Sequence, residues 1–172
     1  MKKLVLISFL LTAFAVYSHA QFSAGGGLSY GTEIEKFGIT GKGLYTLNEN
    51  IDISGALTIF FPEKSTFTNP FGPDTEIKTT LWELNFDGHY NFPASEEFVF
   101  YPMAGINITG IRTKVEADGS SDSDSDTEFG LNIGAGGVYA FSEKLKGFAE
   151  IKYVISDYDQ AVFTFGVLFP LQ

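Results

Sequence analysis

The chain has 172 residues, of which 44% are hydrophobic and 16% aromatic, and it has a formal net charge of −10 with no cysteine. The acidic balance argues against nucleic acid as a partner, and the absence of cysteine excludes a disulfide scaffold. The length predicts one domain.

The first twenty residues have the pattern of a cleaved secretory signal peptide. Lys2 and Lys3 give a basic start, residues 4–16 are apolar, and Ala20 is a small residue where a signal peptidase cuts. The alternative is an N-terminal anchor, but the apolar run is shorter than the roughly 20 residues that a membrane-spanning helix needs. We expect a signal peptide over residues 1–20, cleaved after Ala20, and a mature domain over 21–172 with nine basic residues, 21 acidic residues and a charge of −12.

The rest of the chain alternates apolar and polar residues with period two, which predicts strands that have two chemically different faces. The short links between the segments favour an antiparallel arrangement. Taken in chain order, the eight predicted strands are Phe22–Tyr30, Lys36–Leu47, Ile51–Phe61, Trp82–Phe92, Phe98–Ile111, Phe129–Phe141, Leu145–Val154 and about Asp159–Leu171.

The fourth strand shows the alternation most clearly. One face is apolar and starts at Trp82, whereas the other is a polar row that a soluble sheet could not easily bury. The polar row is Glu83, Asn85, Asp87, His89 and Asn91.

Two folds can explain this alternation: a soluble β-sandwich with the apolar face inside, or a membrane barrel with that face outside. Bulky aromatic residues stand at both ends of the apolar faces, as Phe22 and Tyr30 do in the first strand. Eight to ten residues at about 3.3 Å each, tilted by about 40°, span roughly 20–25 Å, which is close to the apolar band of outer-membrane barrels. We therefore predict an all-β protein, an eight-stranded antiparallel up-and-down transmembrane β-barrel in the cell outer membrane.

The lengths of the connections predict the orientation of this barrel. Residues 48–50, 93–97 and 142–144 form tight turns, whereas 62–75 and 114–127 form long loops. Outer-membrane barrels have short turns on the periplasmic side and longer loops outside. An extracellular protein or another surface ligand could therefore bind through loops 62–75 and 114–127, and residues 77–80 and 111–115 beside them suggest a sheet edge or platform above the membrane.

Four stretches of the chain resemble a known family, the small outer-membrane β-barrel proteins of the OmpX-like and opacity-like kind, often labelled as porin-family proteins. These stretches are Tyr101–Ile106, Leu131–Gly137, Phe148–Tyr153 and Phe163–Phe169. The resemblance implies insertion into outer-membrane lipid with the help of periplasmic chaperones and the barrel-insertion machinery. It implies no shared catalytic residue.

Charged residues on the polar faces should meet in the lumen. An eight-stranded barrel has an interior just wide enough for side chains, so we expect these groups to fill it as hydrogen-bonded ion pairs. A narrow channel for small solutes is the alternative. The residues concerned are Lys42, Glu83, Asp87, His89, Glu150 and Lys152.

We predict no catalytic, cofactor-binding or metal-binding residue, and a structural or surface-interaction role. Asp87 and His89 could form a catalytic pair, but the direction of the fourth strand places His89 near the periplasmic end of the lumen, away from the outer rim. Residues 118–126 carry alternate carboxylates that suit calcium, yet their low hydrophobicity and like charges favour a mobile, solvated loop. An outer-membrane enzyme is a remote alternative.

Overall fold

The computed structural model describes residues 22–67, 75–117, 120–157 and 159–171, and these ranges form one continuous β-sheet. The predicted signal peptide lies outside the described residues, so cleavage after Ala20 stays a prediction. No helix in the described part is both long enough and apolar enough to cross a membrane. The strands are β1 (Phe22–Gly31), β2 (Lys36–Asn48), β3 (Ile51–Phe60), β4 (Glu63–Phe67), β5 (Thr75–Tyr90), β6 (Phe92–Pro93), β7 (Phe98–Ala117), β8 (Ser120–Ser142), β9 (Leu145–Ile155) and β10 (Gln160–Leu171).

The sheet closes on itself as an antiparallel barrel. Each long strand pairs with its neighbours in the chain, and the seam is closed by β1 and β10, from Phe22 opposite Leu171 to Gly31 opposite Val162. The short strands β4 and β6 prolong β3 and β5, because β4 pairs with the start of β5 and β6 pairs with the start of β7. If β4 is counted with β3 and β6 with β5, the barrel has eight strands within the described ranges. The predicted fold is confirmed.

The predicted long loop over 114–127 is wrong. The strands β7 and β8 remain paired up to Ala117 and Ser120, so that a long hairpin replaces the loop, and only residues 118–119 lie outside the described part. The polar composition concealed a second period-two pattern, in which Asp122, Asp124 and Asp126 share one face of an extended strand. In the other predicted loop, residues 63–67 form β4, and residues 68–74 lie outside the described part.

The two faces of the barrel wall have the chemistry of a membrane barrel. Apolar side chains cover the outer surface, where Phe129 is 75% exposed and Ile39 is 57% exposed. Polar side chains point inward, and Glu83, Asn85 and Asn107 are almost completely buried. The polar row of β5 thus faces the lumen and its apolar row faces outward, as predicted. In the text below, the end of the barrel that carries the turns 49–50, 94–97 and 143–144 is the short-turn end, and the opposite end is the long-hairpin end.

The seam between β1 and β10 depends on small residues that face the lumen. Gly27 lies opposite Gly166, and a Cβ atom at Gly166 would collide with the backbone oxygen of Gly26 and lie 2.7 Å from the Cα atom of Gly27. Side chains at this point would push the two strands apart. Glycine therefore permits the sharp curvature that a barrel of this size needs at its closing strands.

We predict that Gly166→Ala destabilises the barrel by about 1–3 kcal/mol, since the added methyl group must displace backbone. A closed barrel resists dodecyl sulfate until it is heated, so the band shift between the folded and unfolded forms on a gel should occur at a lower temperature. Gly41→Ala is the matched control, because Gly41 is exposed and a Cβ atom there would meet no described atom within 4 Å. Equal band-shift temperatures for the two variants would contradict this account of the seam.

Candidate functional site

An ion pair lies in the half of the lumen nearest the short-turn end. The Lys42 ammonium donates to the Glu150 carboxylate, which also accepts a hydrogen bond from the Tyr101 hydroxyl at 2.6 Å. The Lys42 ammonium lies 5.2 Å from the centre of the Phe148 ring. Both charges are buried, so the hydrogen bonds around them offset the cost of desolvation.

A second ion pair lies in the half of the lumen nearest the long-hairpin end. Lys152 Nζ donates to Glu83 Oε2 at 3.1 Å, and Gln160 Nε2 donates to Glu83 Oε1 at 2.5 Å. The Glu83 side chain is completely buried, and each carboxylate oxygen has a donor. The prediction that Lys42, Glu83, Glu150 and Lys152 form ion pairs in the lumen is confirmed.

Asp87 and His89 were expected to join these ion pairs, but each has a neutral partner. Asp87 accepts a hydrogen bond from Asn132 at 2.7 Å. His89 Nε2 lies 3.0 Å from Ser54 Oγ, and the His89 ring stacks on Tyr101 with 4.4 Å between ring centres. Asp87 and His89 therefore each contact other groups of the lumen, and the Ser54–His89 contact is buried.

Hydrogen bonds between neutral side chains connect different strands in the middle of the lumen. Asn85 Oδ1 accepts from Asn107 at 2.7 Å and from Asn132 at 3.0 Å, which ties β5, β7 and β8 together. On the opposite wall a row of hydroxyl groups crosses four strands, with successive O···O distances of 2.8, 2.5 and 2.8 Å. This row runs through Thr164, Ser29, Thr40 and Thr58.

The sequence did not predict that apolar clusters close both ends of the polar interior. Leu44, Phe148 and Leu168 pack together near the short-turn end. Phe60, Leu81, Val154 and Val162 form the cluster near the long-hairpin end, and Phe60 is only 1% exposed. The signal was present where the alternation gives way to neighbouring apolar residues, as in Ile59-Phe60-Phe61. Apolar clusters at both ends and ion pairs between them thus occupy the lumen within the described residues.

Above the long-hairpin cluster, four strands continue as a sheet that we call the projecting sheet. It consists of β4, residues 75–81 of β5, residues 111–117 of β7 and residues 120–128 of β8. Ile111 packs against the lumen cluster, so its cross-strand neighbours Leu81 and Asp126 share the face turned toward the lumen. By the same register, Lys78 and Arg112 lie on the opposite, outer face.

The carboxylates of β8 do not converge on one point. Asp122, Asp124 and Asp126 are exposed and stand two residues apart in an extended strand, so neighbouring side chains are separated by more than about 6 Å along the strand. Each accepts a hydrogen bond of 2.9–3.0 Å from the backbone N–H of the following residue. No group of three or more potential metal ligands occurs among the described residues. The arrangement considered for calcium is therefore not assembled there.

We predict that Lys152→Met destabilises the protein by about 3–5 kcal/mol, because it leaves the buried Glu83 carboxylate without its counter-ion. Adding Glu83→Gln should restore most of the lost stability. Urea unfolding in lipid vesicles can be followed by the fluorescence of Trp82, the single tryptophan of the chain. If the double variant were less stable than Lys152→Met alone, the ion pair would not be the source of the effect.

Comparisons with known proteins agree with this architecture. The chain is similar to Ail, the attachment invasion locus protein of Yersinia pestis, at 16% identity and a TM-score of 0.56, over 88% of this chain and 97% of that chain. It is also similar to the N-terminal β-barrel domain of Pseudomonas aeruginosa OprF at 18% identity and a TM-score of 0.59, with the same coverage. A major outer membrane protein from Thermus thermophilus has 10% identity and a TM-score of 0.69, over 88% of this chain and 99% of that chain.

At these low identities the structural likeness shows a common fold alone. None of the curated proteins matches the chain. The family model of the outer membrane protein beta-barrel domain matches residues 4–169, which is almost the whole chain. The chain therefore belongs to the outer membrane protein β-barrel domain family and is an integral protein of the cell outer membrane.

Proposed function

We propose that this protein is a surface-interaction protein that presents the projecting sheet to a polypeptide partner outside the cell, and that it has no catalytic role. The observation that carries the proposal is the asymmetry of the barrel. The strands β7 and β8 pair over twenty positions, whereas β1 and β10 pair over ten, so one side of the barrel wall rises far beyond the other. The filled lumen supports this role over that of a channel.

In this proposal the long-hairpin end faces the cell exterior, as it does in outer-membrane barrels generally. The outer face of the projecting sheet supports the orientation. Lys78 and Arg112 lie just above Trp82, at the level where the apolar band ends, and Arg112 is exposed. Basic side chains at this height can bind the anionic head groups of outer-membrane lipid. The lumen-side face is then the one left for a partner.

The edge of β8 is poorly suited to binding a partner by strand addition. Strand addition needs free backbone donors along a sheet edge. The N–H groups of Ser123, Ser125 and Thr127 already donate to the carboxylates of the preceding aspartates. A partner strand would have to displace these three hydrogen bonds, and charged side chains on an edge also oppose pairing with other chains. We therefore assign the partner to the lumen-side face.

The chemistry of the lumen-side face favours a basic partner with some apolar residues. Ile77 and Val115 lie opposite each other on this face and are half-buried. An acidic row runs beside them along β8, since Asp122 is the cross-strand neighbour of Val115 and Asp124 that of Thr113. A face with one sign of charge attracts the opposite sign, and the attraction weakens with added salt.

The test is a shortened hairpin in which residues 113–124 are replaced by Asn-Gly. Arg112 and Ser125 face each other, so a two-residue turn can join them without altering the barrel below. The protein in lipid nanodiscs is titrated with a synthetic peptide of alternating lysine and isoleucine. We expect binding at low salt to be at least tenfold weaker after shortening. Binding should also weaken in Asp122→Asn/Asp124→Asn, in which the side-chain oxygens can still accept the backbone hydrogen bonds.

The matched control is Ser123→Ala/Ser125→Ala, which changes the opposite face of the same strand segment. This variant should bind the peptide as the unaltered protein does. Retention of the heat-dependent band shift shows that each variant still forms the barrel. Undiminished binding by the shortened, folded protein would contradict the proposed role of the projecting sheet.

A further inference from the structure

A groove of about 490 Å³ lies on the lipid-facing wall of the barrel, near the long-hairpin end. Its volume is within the range of about 300–1,000 Å³ that is common for small-molecule sites. Its apolar lining includes Ile39, Leu57 and Ile59, which are exposed on the outer surface. Gly41 lies opposite Leu57 and also lines the groove. A Cβ atom at Gly41 would meet no described atom within 4 Å, so a side chain there would have room.

The groove lies where a bulge interrupts the strand pairing. The strand β5 pairs with β3 as far as Trp82 opposite Ile59. It pairs with β4 from Thr79 opposite Glu63. Residues 60–62 therefore face only two residues of β5, which is the one extra residue of a β-bulge, and all three line the groove. Because a bulge bends its strand, the groove lies between the end of β3 and the base of the projecting sheet.

Basic residues stand at the end of the groove that is nearest to the membrane surface. Lys78 and Thr80 line the groove there, and no aspartate or glutamate of the described residues lines it. Lys114 is the cross-strand neighbour of Lys78 and Arg112 that of Thr80, so both add positive charge on the same outer face. Glu76 also lies on this face, but one pair of residues farther from the apolar band. The field at this end of the groove therefore favours an anion.

The position of the groove determines what can fill it. Its apolar part lies on the lipid-facing wall, so hydrocarbon covers it rather than water. Lipid tails are as apolar as the wall, and binding there depends on close packing, which a groove offers to an acyl chain better than a flat wall does. A second groove of about 580 Å³ lies on the lipid-facing wall near the short-turn end, but no charged residue of the described chain lines it. Only the groove beside Lys78 therefore combines an apolar floor with a basic end.

We propose that this groove is a binding site for one membrane lipid whose phosphate head group has a net negative charge. One acyl chain lies in the groove against Ile39, Leu57 and Ile59. The phosphate lies beside Lys78 and the Thr80 hydroxyl, where an ammonium with three donors and a hydroxyl with one can bind its oxygens. The site is built by β2, β3 and β5, so it does not depend on partner binding by the lumen-side face of the projecting sheet.

The test measures the quenching of Trp82, the single tryptophan of the chain, which lies opposite Ile59 at the edge of the groove. The protein is placed in nanodiscs of phosphatidylcholine that contain an increasing fraction of dibrominated phosphatidic acid or, in a parallel series, of dibrominated phosphatidylcholine. Bromine quenches tryptophan fluorescence only at short range, so the two series give the affinity of the anionic lipid relative to the zwitterionic one. We expect phosphatidic acid to bind about fivefold more tightly at low salt, because basic residues at the membrane surface attract anionic lipid.

Filling the groove should remove the preference for phosphatidic acid. Gly41→Leu fills it from a position where the added Cβ atom meets no described atom within 4 Å. The matched control is Gly88→Leu, because Gly88 is also exposed on the lipid-facing wall but does not line the groove. A Cβ atom at Gly88 would meet only the Ala104 backbone oxygen, at the ordinary contact distance of 3.8 Å. This control should keep the preference.

Removing the basic end of the groove should have the same effect. Lys78→Gln/Arg112→Gln should bring the two lipids to nearly equal affinity, whereas Lys144→Gln/Lys146→Gln, with the same change of net charge at the short-turn end, should not. Retention of the heat-dependent band shift shows that each variant still forms the barrel.

Two results would overturn the proposal. Equal affinity of the two lipids for the unaltered protein would show that there is no such site. A preference that persists in Gly41→Leu would show that the charged surface attracts the lipid without the groove. The assay contains no peptide, so its outcome leaves the peptide-binding role of the projecting sheet to its own test.

Discussion

Polar groups inside an eight-stranded barrel have to find most of their partners among the other side chains of the lumen, because the interior is just wide enough to be filled by them. This constraint explains the main features of the lumen. Lys42 pairs with Glu150 and Lys152 pairs with Glu83, and neutral hydrogen bonds lie between the two ion pairs. It also explains the apolar clusters at both ends, which cover the charged interior. A wall with such a filled interior presents its apolar face to lipid.

The sequence predicted the parts of the structure that depend on periodicity. Alternation in β5 places Glu83 and His89 inside and Phe86 and Tyr90 outside, and the structure shows this arrangement. The ionic partners were predictable as a group, because buried charges need counter-ions. Their individual pairing was not, since it depends on the stagger of strands across the lumen rather than on neighbours in the sequence. His89 illustrates this, because its contacts, Ser54 and Tyr101, come from β3 and β7.

The prediction of a long loop at 114–127 failed for a physical reason. Composition alone favours a solvated loop when serine and aspartate alternate, but that alternation is also the period of a strand. Pairing with β7 satisfies one side of the backbone of β8, and the aspartates satisfy the N–H groups on the other side. These hydrogen bonds and charges oppose pairing of the edge with other chains without shortening the strand. The alternating serine and aspartate residues thus extend the sheet and also oppose the addition of another strand at its edge.

The structure shows where acidic residues of this negatively charged chain lie. Asp122, Asp124 and Asp126 lie on the lumen-side face of the projecting sheet, whereas Lys78, Arg112 and Glu76 lie on its outer face. The lumen-side face of the projecting sheet is therefore acidic, whereas its outer face carries charges of both signs. Under the proposed function, the acidic lumen-side face attracts a basic partner and repels an anionic one.

The central claim is that the lumen is filled and closed, and the current through a planar lipid bilayer that contains the purified protein tests it most directly. With two apolar clusters and two ion pairs in the path, we predict no stable current steps under an applied voltage, whereas an open porin measured in the same bilayer conducts. Stable and reproducible steps from the folded, heat-modifiable protein would show a continuous water path through the lumen and would contradict the account.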